Sequence, residues 1–127
     1  MAVYNSPTAD RAIRDVAYTS LRPWADHLQR RRQFSDGSNA EAFVSLSTTM
    51  VYGVLTDWCM GDIPDDALVD RIAASHLVCL AGTTRGETQR KARAWLHALN
   101  TGAPEWLDLK QHAQVTDSDL TLREPVH

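Results

Sequence analysis

His76 and Cys79 stand three residues apart in a stretch with helical apolar spacing, so one helix face carries an imidazole and a thiol together. A helix offers two zinc ligands in this way. Two ligands are half a site, however, and Cys59 and His27 would have to complete it from other segments that no spacing ties to this one. The pair is therefore read as a surface or pocket-lining imidazole beside a small core thiol. The densest carboxylates, Asp57, Asp62, Asp65, Asp66 and Asp70, would suit a hard divalent ion. Three of them sit where a helix opens, and negative charge is stabilised there without a metal. They follow no EF-hand spacing. The chain has neither a Gly-x-Ser-x-Gly elbow nor a glycine-rich phosphate loop. Two cationic runs, Arg30-Arg31-Arg32 and Arg85/Arg90/Lys91/Arg93, could touch phosphate. Neither leads into a recognition helix, and both read as solvated surface that compensates helix dipoles. The chemistry-bearing residues point to no enzyme, no cofactor and no metal.

The elements that position these residues are helical. Ile13, Val16, Ala17, Leu21, Trp24 and Leu28 recur at three- and four-residue steps behind Asn5-Ser6-Pro7-Thr8, with Thr8 as a possible cap. Pro23 predicts a kink, or two abutting helices. Gln33 to Ser38 is a loop. Ser38 and Glu41 have the spacing of a capping box, and the helix they open runs to Met60 before Gly61. That second helix has no Lys or Arg, and its charges are Glu41 and Asp57. Phe43, Leu46, Met50, Val54 and Trp58 form one apolar face; Val44, Val51, Leu55 and Cys59 form another. A helix apolar on two sides runs through the middle of a fold or meets another chain.

Asp62-Ile63-Pro64-Asp65-Asp66 predicts the start of a third helix, closed by Gly82. Its stripes are Leu68, Ile72 and Cys79, and Val69, Ala73, Leu77 and Leu80. Thr84 and Glu87 form a second capping box, opening a fourth helix that carries Ala92, Trp95, Leu96 and Leu99 to Asn100. Ala103-Pro104-Glu105 starts a short last helix with Trp106, Leu107 and Leu109. From about Gln114 the polar tail shows no period. The expected fold is all-α, a small antiparallel bundle of four to five helices, with residues 1–112 as a single domain and 113–127 as a loosely ordered tail.

Size and composition agree. At 127 residues, with 43% hydrophobic and 23% charged residues, the chain has the make-up of one soluble globular domain. Its formal charge of −3 counts against whole-chain binding of nucleic acid. Neither a membrane span nor a secretion signal is expected, and Cys59 and Cys79 read as free buried thiols of a cytoplasmic protein.

Gly53 is informative because a mid-helix glycine costs about 1 kcal/mol relative to alanine. With Ser45, Thr49 and Asp57 it lies on one line of four-residue steps, a groove of small residues that would admit a second helix. Trp24, Tyr52 and Trp58, with His76, are alternatively core residues or the lining of a small-molecule pocket.

Leu21-Arg22-Pro23-Trp24, the loop Gln33-Phe34-Ser35-Asp36-Gly37, the long helix with Tyr52-Gly53-Val54-Leu55-Thr56-Asp57-Trp58, the break Gly61-Asp62-Ile63-Pro64 and the ending Leu80-Ala81-Gly82 together resemble the C-terminal regulatory domain of TetR-family transcriptional regulators. The similarity covers a little over half the chain. It implies a four-helix dimer interface from residues 40–60 and 65–81, with Leu68, Ile72 and Leu80 joining Ser45, Thr49, Gly53 and Asp57. It also implies that Trp24, Leu28, Met50 and Val54 face the ligand side. The family's N-terminal helix-turn-helix is not matched by these residues, so DNA binding is not expected to carry over.

The expected function is a non-enzymatic dimerisation and effector-binding domain, working as a homodimer or with a related regulator and taking a small hydrophobic ligand. The alternative is a free-standing helical protein that binds a ligand in an aromatic pocket of Trp24, Leu28, Met50, Tyr52, Val54, Trp58 and His76.

Overall fold

The computed structural model describes residues 20–112, and these form an all-α bundle. The described residues contain five α-helices and one 3-10 turn: α1 over 20–30, α2 Ala40–Cys59, the 3-10 turn Asp65–Ala67, α3 Leu68–Thr83, α4 Gly86–Thr101, and α5 over 104–112. The apolar spacing at Ile13, Val16 and Ala17, the Thr8 cap and the C-terminal tail lie outside the described residues. Pro23 sits within α1, which is helical on both sides of it from Ser20 to Arg30.

α3 is the central member and packs against both α2 and α4. The reason is visible in the residues that face inward. Ala40, Phe43, Val44, Ser47 and Thr48 of α2 are buried at the three- and four-residue steps of a single helix face. Cys79 and Leu80 of α3, Ala92 of α4, and Ala25 and Leu28 of α1 complete the same core. Phe43 is wholly buried at its centre. The Trp24 ring meets Phe43 edge-on at 5.6 Å, and Phe34 lies tilted against it at 6.1 Å.

Helix ends depart from the spacing argument in three places. The cap of α2 is Asn39, one residue after Ser38; its side-chain oxygen accepts from the Ala42 N–H at 2.8 Å. Gln29 of α1 takes the Ala40 N–H at 2.7 Å, so a contact from another helix fixes the starting residue. Thr84 does not cap α4: it closes α3, its backbone N–H and its hydroxyl both donating to the Leu80 carbonyl, and α4 starts after Arg85. The Asp62–Asp66 segment forms a turn and a short 3-10 helix before α3 begins at Leu68, and α3 passes through Gly82 to Thr83. Gly61 follows the end of α2 as expected and Gly102 ends α4, with φ of 85° and 66° in the left-handed region.

Residues 31–39 do more than connect. The Arg85 N–H donates to the Gln33 carbonyl at 2.9 Å and the Ser35 N–H to the Thr83 carbonyl at 2.9 Å, so the loop is strapped across the α3–α4 junction. Phe34 and Thr84 form an isolated bridge there. One end of the bundle therefore gathers the end of α1, the start of α2 and the α3–α4 corner. The α2–α3 turn stands at the other end. α5 docks on α3: the buried Trp106 donates through Nε1 to Asp70 at 3.1 Å, and Lys110 reaches the same carboxylate at 2.9 Å.

Candidate interaction face

α2 buries one side and leaves the other in solvent. Ser45, Thr49, Gly53 and Asp57 are all exposed, and they follow one another at four-residue steps. Leu46 and Met50, on the adjoining row, are 52% and 38% exposed. From Val51 to Cys59 no residue of α2 is buried, although Val51, Tyr52, Val54, Leu55 and Trp58 are all large. Between Glu41 and Asp57 this surface carries no charge. A Cβ built on Gly53 would meet nothing within 4 Å. The glycine therefore makes no room for another part of the described chain, and its missing side chain deepens an open surface. Leu68 and Ile72 of α3 are half-buried. Leu80, expected at the same interface, is instead a member of the chain's own core at 9% exposure.

The seven residues expected to line an aromatic pocket do not come together. Trp24 packs on Phe43 near the start of α2, whereas Trp58 stands fifteen residues further along the helix. At 1.5 Å per residue that separation is about 22 Å. Leu28 is consumed by the core. Trp58 donates through Nε1 to Asp65 at 2.7 Å, which ties the end of α2 to the 3-10 turn. A cleft of about 600 Å³ lies elsewhere, against α4 and α5, and is lined by Trp95, Glu105, Asp108, Leu109, Gln111 and His112. Sequence reasoning missed it because it depends on how α5 docks, and its polar residues follow no motif.

His76 and Cys79 share a face of α3 as predicted. The Cys79 thiol contacts the Met50 sulfur at 3.2 Å. Burial pushes its ionisation up, and a contact with Ser47 opposes that only in part. His76 Nδ1 is buried and has no hydrogen-bond partner among the described residues, and burial lowers the imidazole's affinity for a proton. Both cysteines are free. Among the described residues no three His, Cys, Asp or Glu side chains are grouped to hold a metal ion. Of the acidic cluster, Asp65 and Asp70 accept the hydrogen bonds of Trp58 and Trp106, so these carboxylates brace the ends of helices.

The two cationic runs, 53 residues apart in the chain at Arg32 and Arg85, do meet: Arg85 Nε donates to the Arg32 carbonyl at 3.1 Å. No helix of the described residues is long and apolar enough to cross a membrane. No protein family, curated protein or solved structure matches the chain.

Proposed function

We propose that this chain is a non-enzymatic helical association module whose outer α2 face receives a second copy of itself, similar in plan to the dimerising core of a TetR-type regulator. The observation that supports this most is the uncharged strip of Leu46, Thr49 and Gly53, with the exposed part of Met50, which the helices of the described residues leave open. Apolar area removed from water is worth roughly 25 cal/mol per Å², so covering this strip is favourable wherever a helix of matching shape is at hand. The small residues let a partner backbone approach closely, and close approach increases the number of van der Waals contacts along the line. An interface of about 800 Å² per partner is the ordinary size for a specific pair. In a two-fold pair the same strip serves both copies, which suits a surface with no charge to repel its own image.

Sedimentation equilibrium tests this reading. Wild-type protein is expected to be dimeric at tens of micromolar. Leu46→Glu places a charge in the strip and Gly53→Leu fills the groove, and each is expected to weaken association at least tenfold while leaving the helix content unchanged. A wild-type protein that stays monomeric throughout that range contradicts the proposal.

A further inference from the structure

The formal charge of −3 conceals an uneven distribution. Arg30 ends α1 and Arg31 and Arg32 follow it, Arg85 caps the start of α4, and Arg90 and Arg93 lie in the first half of α4; all six side chains are exposed. The strap of residues 31–39 brings these two groups to the same end of the bundle, through the Arg85–Arg32 and Arg85–Gln33 hydrogen bonds. Lys91 adds a seventh cation on the outer side of α4. The carboxylates paired within the patch are Asp36, 3.9 Å from Arg85, and Glu87, which pairs with Arg90. A cationic excess remains. The carboxylates Asp57, Asp62, Asp65 and Asp66 lie about the α2–α3 turn at the far end, so they do little to screen it beyond a Debye length of about 8 Å.

We propose that this arginine-rich end is a binding surface for the phosphate backbone of duplex nucleic acid. The guanidinium group is planar, always charged and matched to phosphate oxygens in a two-point contact, and six of the seven cations carry it. The patch is too broad for a single phosphate. From Arg85 to Arg93 alone α4 advances about 12 Å, and the end of α1 extends the patch away from it. Its character is polar throughout. Trp24 is the one aromatic among the large exposed apolar side chains of the described residues, and it is packed edge-on against Phe43, about two turns before Arg31. A single-stranded ligand is held by stacking on exposed rings, and an interfacial membrane contact needs apolar anchors. The patch offers neither, which leaves backbone contact without base readout.

Fluorescence anisotropy with a labelled 20-base-pair duplex tests the assignment. Contacts to about four phosphates predict an affinity that falls about 100-fold between 50 and 200 mM salt. Arg31→Gln, Arg90→Gln and Arg93→Gln should each weaken binding several-fold and lower the log–log salt slope by about one. Arg71→Gln, an equal loss of charge on exposed α3 surface near the opposite end, should change neither. The altered side chains are exposed, and circular dichroism melts verify that each variant is folded. Three results would overturn the proposal: no duplex binding at 50 mM salt, an Arg71→Gln effect equal to that of the patch variants, or binding to vesicles containing phosphatidylserine without binding to the duplex. Because the patch lies off the α2 strip, the duplex assay and the sedimentation assay can fail separately.

Discussion

His76 is where protonation and folding meet most directly. Its imidazole is held in α3 with Nδ1 buried, and burial lowers its pKa below the ordinary value of about 6.5. The unfolded chain therefore binds a proton at a pH where the folded chain does not, and acid favours unfolding. Stability from this residue is present above about pH 6.5 and is lost as the pH falls toward the depressed folded value. Urea midpoints should fall between about pH 7.5 and 5.5, and His76→Gln should flatten that part of the profile. An unchanged slope would show that other groups set it. The same residue shows how far spacing reaches. The three-residue step from His76 to Cys79 places both on one helix face. It does not reveal that Met50 meets the thiol, because that contact comes from α2, 29 positions earlier.

At the scale of elements, α5 is held on α3 through Trp106 and Lys110, of which Trp106 is the buried one. Trp106 is buried, donates to Asp70, and lies beneath Lys110, whose ammonium is 5.8 Å from the ring centroid. Leu107 and Leu109 are 51% and 44% exposed and contribute little. Trp106→Ala should cost about 3–5 kcal/mol and release the amides of 104–112 to fast hydrogen exchange while those of α2 and α3 remain protected. Equal loss of protection in all helices would mean that α5 is integral to the core. The helices themselves were legible because apolar residues recur every three or four positions and Gly61 marks the end of α2, whereas α3 runs through Gly82. Their first residues were less so. Ser38 and Asn39 are both good caps, and Gln29, from another helix, selects between them. Thr84 and Glu87 have the spacing of a capping box, yet the Thr84 hydroxyl is buried and turns back to Leu80. Local chemistry offered two answers, and tertiary contacts chose.

At the scale of the whole bundle, the helices of the described residues leave two surfaces open: an uncharged strip along α2 and an arginine-rich end. The strip was readable in outline, since α2 has more apolar circumference than one core face requires. Leu80 was misplaced because a stripe on α3 does not say which neighbour it faces. The arginine end was not readable, because the hydrogen bonds that unite its halves span 53 residues. The measurement closest to the central claim is oxidative cross-linking across the strip. In a Cys59→Ser background, cysteines introduced singly at Ser45, Thr49 and Gly53 are brought near their copies in a two-fold pair, and a disulfide forms when the Cα atoms approach within about 7 Å. We expect at least one of the three to give a covalent dimer on a non-reducing gel, while Arg93→Cys and Glu105→Cys stay monomeric. Monomer at all three strip positions, or controls that cross-link equally fast, would contradict the account.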